Sequence, residues 1–155
     1  MPSIELVHHA PGPVDQVFEV YSDISKAAER VEAIREIEML TPGPVGEGTR
    51  FRETRVVFKR EASEEMELVE FEPNRAYTIA CFSCGAEYRT RYDFEPDGEG
   101  TRVTVRMNIT PKSLFAKLLS PLSFFMTNTM KKCLEDDMIA LDRVVSESEA
   151  RTASA

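Results

Sequence analysis

The sequence predicts an α+β domain: a curved antiparallel sheet of about seven strands, wrapped around one long C-terminal helix, with two short helices after the first strand. Two patterns predict this class. Segments that alternate apolar and polar residues follow one another through the middle of the chain, and short turns separate them, as in an antiparallel meander. Near Pro121 the pattern changes to a helical period, which continues to about Ser146.

The N-terminal quarter contains the first strand and the two short helices. Residues Ser3 to His9 alternate as a strand, which Pro11 interrupts. Helical spacing of apolar residues then predicts helices over Val14 to Tyr21 and over Ile24 to Ile34. A short strand is expected over Ile37 to Leu40, before a loop rich in proline and glycine.

Five further strands make up the meander. Each is bounded by turn residues, and the short connections favour hairpins. The five predicted strands are Thr49 to Phe58, Ala62 to Phe71, Ala76 to Ser83, Glu87 to Phe94 and Arg102 to Ile109.

The long C-terminal helix is the segment most informative about function. Ser120 and Pro121 are typical of a helix start. Its apolar arc contains soft or small residues such as Met130 and Cys133 and few bulky aliphatic ones, and such a face covers the sheet without necessarily filling the space beneath. We therefore expect one domain over residues 1–148 that holds a ligand, followed by a flexible tail over residues 149–155.

Composition excludes several function classes. The net charge of −8 and a pI near 4.9 argue against nucleic acid as a partner. No segment is apolar enough to span a bilayer, so stable membrane insertion is not expected. The chain shows no secretory signal, and three cysteines do not form a closed disulfide framework. A cytoplasmic location is therefore predicted.

The inward phase of the strands and the soft helix face together predict a ligand cavity. We expect it to be lined by Phe51, Ile79, Cys81, Tyr88, Thr90, Tyr92, Val105, Met107, Met126, Thr129, Met130 and Cys133.

Candidate polar chemistry lies at a few of these positions. Asp137 projects near the centre of the apolar arc, where it either orients or protonates a ligand or is hydrogen-bonded as a structural carboxylate. Tyr88 and Tyr92 are the other weak catalytic candidates, or else are core residues. Glu53 and Arg55 form a paired polar anchor if their face of the strand is buried, and lie in solvent if it is not.

Neither metal nor cofactor is expected. The spacing of Cys81 and Cys84 lacks the further ligands that zinc requires, and the thiols are expected to stay reduced. His8 and His9 are adjacent in a strand, so their side chains point to opposite faces.

The most apolar stretch is Leu114 to Met126. Phe124 and Phe125 lie off the main helix stripe and are either packed under the loop before Thr49 or exposed. Exposed, they mark a cavity mouth, a lip that touches lipid or a dimer surface. A homodimer is therefore one of the alternatives left open.

Several segments resemble the START-like (SRPBCC) superfamily, in particular its polyketide cyclase/dehydrase group. They are Val45-Gly-Glu-Gly-Thr-Arg-Phe51, Leu68-Val-Glu-Phe-Glu-Pro-Asn-Arg75, Tyr92-Asp-Phe-Glu-Pro96 with Gly100-Thr-Arg-Val-Thr104, and the final helix. The resemblance implies the helix-grip fold and an apolar cavity that binds or transports a hydrophobic or aromatic small molecule. It also implies two alternatives: a cyclase or dehydratase that transfers a proton through Asp137 or a Tyr, and a lipid-handling protein acting through its apolar lip. It supplies no catalytic residue for this chain.

Overall fold

The computed structural model describes residues 3–57, 59–83, 85–114 and 123–154, without the side chains of residues 57, 123–127 and 149–154. In chain order the elements are β1 (Ser3–Ala10), α1 (Val14–Ser22), a 3₁₀ turn (Ile24–Lys26), α2 (Ala27–Arg30), β2 (Ile34–Met39), β3 (Arg50–Val57), β4 (Arg60–Glu72), β5 (Ala76–Ser83), β6 (Ala86–Asp97), β7 (Gly100–Pro111) and α3 (Ser123–Ser154).

The strands form one seven-stranded sheet in the order β1-β7-β6-β5-β4-β3-β2, and every neighbouring pair is antiparallel. The register shifts between Leu68 and Glu70 in β4 and between Ile34 and Glu36 in β2. Such irregularities bend a strand and increase its twist. The curved sheet with its long C-terminal helix confirms the predicted helix-grip architecture.

The second short helix was predicted too long. The helical segment ends at Arg30, and Val31 already has extended backbone angles (φ −115°, ψ 114°). Ile34 instead begins β2 and lies opposite Arg55 of β3. The amide of Val56 donates to the carbonyl of Ala33 at 2.9 Å, so pairing with β3 replaces the helical hydrogen bonds here. Apolar residues three apart fit a helix and a bulged strand equally well, and the neighbouring strand decided between them.

Aromatic side chains fill the end of the fold beneath α1. The Phe18 ring makes edge-on contacts with Phe71, Tyr77 and Phe94, with ring centroids 5.2–5.9 Å apart. Tyr21 adds a further edge-on contact with Phe94 at 5.7 Å. All of these residues belong to the hydrophobic core or pack against it. We call this region the packed end; edge-to-face pairs are a favoured aromatic geometry.

Helix α3 lies over the sheet and packs against α1 and β1. Its most buried side chains are Leu134, Met138 and Val145. Asp142 accepts a hydrogen bond from the Tyr21 hydroxyl at 2.6 Å and pairs with the His8 ring, which ties the helix to α1 and β1. The helix continues to Ser154, beyond the predicted Ser146; the flexibility of the tail remains a prediction.

The convex face of the sheet carries charged pairs. Arg52 contacts Glu38 at 2.6 Å and Glu65 at 2.8 Å, and Arg91 contacts Glu70 at 2.6 Å. Exposed pairs of this kind stabilise a fold only slightly, but they show that this face is in water. Within the described residues, no helix has the length and hydrophobicity required to cross a bilayer.

Candidate ligand-binding site

Strand register places the predicted lining residues of the sheet on one face. Residues directly opposite each other on neighbouring strands share a face of the sheet. One cross-strand row contains Phe51, Met66, Cys81, Tyr88 and Ile109. The next contains Leu68, Ile79, Thr90 and Met107, and a third contains Phe71, Tyr77, Tyr92 and Val105.

The exposure of these residues divides them into two groups. Phe51, Thr90, Val105 and Met107 are buried, with at most 8% of their surface exposed. The remaining described members face the space beneath α3 yet stay partly exposed; these are Ile79, Cys81, Tyr88, Tyr92, Thr129, Met130 and Cys133. The side chain of Met126 lies outside the described residues. We call the region of these partly exposed side chains the open end; that it holds a ligand is a proposal argued below.

An ion triad joins β3 to α3 at the open end. The Arg55 guanidinium donates from Nε to Glu53 at 2.8 Å, and its two terminal nitrogens donate to the Asp137 carboxylate at 3.0 and 2.8 Å. The three side chains are 13–18% exposed. Phe51, Glu53 and Arg55 therefore face inward, while Thr54 points to solvent and bonds Ser63. The sequence left open which side of β3 points inward. The structure places Glu53 and Arg55 on the inner side, where they form the paired polar anchor.

Burial and ion pairing shift the pKa values of the triad groups in opposite directions. Burial raises the pKa of the Asp137 carboxyl, and the hydrogen bonds and charge of Arg55 counteract only part of this. For Arg55, burial acts to lower the pKa, but Asp137 and Glu53 outweigh it and raise the pKa overall, so the guanidinium stays charged. Two carboxylates surround one cation, so an ionised triad carries one excess negative charge.

Three of the five Arg55 N–H groups are used within the triad. Among the described residues, the other two have no acceptor. A guanidinium held by two carboxylates has a fixed orientation, and its remaining donors can bind an oxygen of a ligand. The triad thus joins β3 to α3 and also presents N–H donors in fixed directions.

Tyr92 lies beside the triad, and the buried Tyr77 of the packed end stacks on it. The rings of Tyr77 and Tyr92 stack with their centroids 4.7 Å apart and planes 19° from parallel. Burial is the main reason why the pKa of each hydroxyl is raised, and the negative charge of Asp137 adds to it. Both hydroxyls therefore stay protonated at physiological pH and act as neutral hydrogen-bond donors; Tyr77 donates to the carbonyl of Tyr21 at 3.3 Å.

Sequence reasoning missed two inward-facing groups. Tyr77 shares the phase of Ile79 and Cys81, both predicted to line the cavity, so extending the alternation by one step identifies it. Glu64 accepts a hydrogen bond from Ser83 at 2.7 Å and lies opposite Glu53. No alternation signal distinguishes Glu64, because it lies in a run of charged residues.

The cysteines and histidines are separate from the triad. Cys81 and Cys133 form no disulfide among the described residues, and burial raises the pKa of Cys133, which keeps it protonated. Cys84 lies outside the described residues. As its alternation predicts, His8 points inward to Asp142, whereas His9 points outward, 3.3 Å from the carbonyl of Asp97. The described residues contain no cluster of His, Cys, Asp or Glu suited to a metal; the expected absence of metal, cofactor and disulfide remains a prediction.

A curved antiparallel sheet closed by one long C-terminal helix defines the helix-grip class of fold. The model of the family described as polyketide cyclase / dehydrase and lipid transport matches residues 1–146. The chain belongs to this family, within the START-like superfamily. Sequence comparison finds no curated protein that matches it.

Solved structures show the same fold. An aromatase/cyclase from Streptomyces sp. R1128 is 18% identical, with a TM-score of 0.72 over 97% of this chain and 95% of its own. A norcoclaurine synthase point mutant from Thalictrum flavum is 18% identical, with a TM-score of 0.72 over 96% of each chain. A START superfamily protein from Mycobacterium smegmatis is 12% identical, with a TM-score of 0.74 over 94% of this chain and 97% of its own. At such identities the likeness concerns the fold alone.

Proposed function

We propose that this protein binds a hydrophobic or aromatic small molecule at the open end, between the inner face of the sheet and α3. One observation carries the proposal: side chains on the inner face of the sheet and on α3 stay partly exposed at the open end, whereas aromatic rings fill the packed end. Apolar walls such as Ile79 and Met130 with a few convergent polar groups are typical of ligand sites.

The polar groups indicate what the ligand carries. Tyr92, which is partly exposed and stacks on the buried Tyr77, offers an aromatic group, and the two remaining N–H groups of Arg55 offer donors beside it. A planar ligand with a carbonyl or phenolic oxygen matches both features. Because the triad already has an excess negative charge, a neutral oxygen is favoured over a second carboxylate near Asp137.

The test compares two adjacent positions on α3. Met130 is partly buried toward the sheet, and Lys131 is exposed. Met130→Lys places an ammonium in the site, where it must be desolvated or displace the ligand, so affinity for an environment-sensitive apolar dye should fall by at least about ten-fold. Lys131→Met should leave it unchanged.

Circular dichroism establishes that both variants fold. If Met130→Lys folds and binds the dye like the parent, the open end is not a ligand site. Native mass spectrometry of the purified protein, searching for a copurified small molecule, tests the proposal independently of any chosen dye.

A second candidate is catalysis of ring closure or loss of water on a polyketide-like substrate. The observation that favours it is the Arg55–Asp137 pair, because positioned N–H donors stabilise a developing enolate oxygen and a carboxylate with a raised pKa accepts a proton. Incubation with a synthetic poly-β-ketone thioester tests it. Product that forms with the parent and with Lys131→Met but not with Asp137→Asn supports catalysis, and unchanged substrate in all three leaves binding as the function.

A further inference from the structure

A second pocket lies on the surface, apart from the stacked tyrosines. It has a volume of about 590 Å³ and lies between the α2–β2 connection and the middle of α3. Its walls include Arg35 from β2 and Arg143 from α3, with Arg30 at the end of α2. Volumes of this size are ordinary for small-molecule sites.

The arginines of this pocket differ from those of the sheet. In the described chain, every arginine of β3, β6 and β7 is within 4.0 Å of a carboxylate; these are Arg50, Arg52, Arg55, Arg89, Arg91, Arg102 and Arg106. Arg35 and Arg143 are exposed, and neither guanidinium has a partner among the described residues. Arg30 is held in place by donating to the carbonyl of Val20 at 3.0 Å.

Two of the three carboxylates that line the pocket lie against cations other than Arg35 and Arg143. Asp137 is engaged by Arg55 at 2.8 Å, and Asp136 is 3.9 Å from Lys132. Glu32 is the one carboxylate in the described wall without a partner. Three arginines and three carboxylates line the pocket, so the argument for an anion rests on the guanidinium groups of Arg35 and Arg143, unpartnered among the described residues, and not on a net positive charge.

One wall of the same pocket is apolar. Ile139 is 53% exposed, and Val56 and Ala140 line the pocket beside it. A molecule that satisfies both walls has an anionic head for the arginines and a short apolar tail for Ile139. Guanidinium groups match the geometry of carboxylates and phosphates alike.

We propose that this pocket is a binding site for a small amphiphilic anion, whose carboxylate or phosphate is held by Arg35 and Arg143 and whose tail lies against Ile139. The pocket adjoins the triad through Asp137, but the groups proposed to hold the anion are Arg35 and Arg143, and the proposal does not depend on the function proposed at the open end.

The experiment titrates the ¹⁵N-labelled protein with octanoate, octyl phosphate and octanol, which share one tail, and follows the amides of Ala33 and Ala140 by NMR. The parent should bind at least one of the two anions at least about ten-fold more tightly than octanol. In the double variant Arg35→Gln/Arg143→Gln this preference should be lost. Whichever anion shows the larger preference identifies the head group.

The matched control is Arg60→Gln/Arg75→Gln, which removes two exposed arginines outside the pocket and should keep the preference. If the first double variant fails to fold, the parent still decides: its preference for the anions should shrink as sodium chloride is added. Equal affinity for octanol and both anions overturns the proposal, as does undiminished anion binding by folded Arg35→Gln/Arg143→Gln. Shifts confined to β5 and β6 overturn it as well, and leave the open end as the only site for these probes.

Discussion

The two ends of the inner face are built from the same strands but are packed differently. At the packed end, Phe18 of α1 inserts among Phe71, Tyr77 and Phe94 and fills the space between the layers. At the open end, α3 presents Thr129, Met130 and Cys133, which stay partly exposed. The same inner face is thus filled with aromatic rings at one end and left partly exposed at the other, which is the end where we propose that a ligand binds.

The largest expected effect comes from truncation at the packed end. Phe18→Ala removes a ring that is 4% exposed and touches three others. The free energy of unfolding should fall by about 3–5 kcal/mol because the rigid surroundings cannot close the cavity. Ile79→Ala, on the same face at the open end, should lower the free energy of unfolding by less than half as much. Urea unfolding followed by circular dichroism measures both, and equal losses would show that the two ends are packed alike.

The second prediction concerns the charged clamp of the open end. Arg55→Met keeps much of the side-chain volume but leaves Glu53 and Asp137 close together without their cation. The free energy of unfolding should fall by about 3–5 kcal/mol at neutral pH, since a broken buried pair leaves uncompensated charge.

Arg52→Met is the matched control, because Arg52 lies on the same strand but on the convex face, where Glu38 and Glu65 are exposed. It should change stability far less. If Arg52→Met and Arg55→Met are equally destabilised in urea, the triad does not behave as a buried pair.

The smallest expected effect is a pH dependence. Burial raises the pKa of Asp137 above its ordinary value of 3.8, so the folded state holds this proton more tightly than the unfolded state. The stabilisation from Asp137 is therefore fully present below 3.8 and is lost as pH rises through the raised value. Relative to Asp137→Asn, the parent should become less stable as pH rises, with a slope of at most about 1.4 kcal/mol per pH unit.

Urea unfolding from about pH 4 to about pH 8 measures this slope. Asp136→Asn, at the exposed neighbouring carboxylate, is the control and should track the parent. The opposite result is that the parent becomes more stable relative to Asp137→Asn as pH rises. It would mean that Arg55 outweighs burial and lowers the pKa of Asp137.

The regular alternation of β6 and β7 was sufficient to predict which of their residues face inward, and register confirms it for Tyr88, Thr90 and Tyr92. The same reasoning left β3 undecided. Phe51 favours one face, but Val56 lies on the other, and Glu53 and Arg55 share the side of Phe51. Alternation is informative only when the apolar residues agree on a face.

The sequence by itself determined the order of strands and helices, the antiparallel meander and the long covering helix, because alternation, turn residues and helical period act over a few neighbouring positions. Only the tertiary structure decided the ion triad, since Arg55 and Asp137 are 82 positions apart and a buried charge requires a partner that local patterns do not identify. It also decided where α2 ends, through pairing with β3, and it brought Arg35 and Arg143 to one pocket. Long-range pairing thus placed the polar groups that distinguish this protein's candidate sites from those of another chain with the same fold.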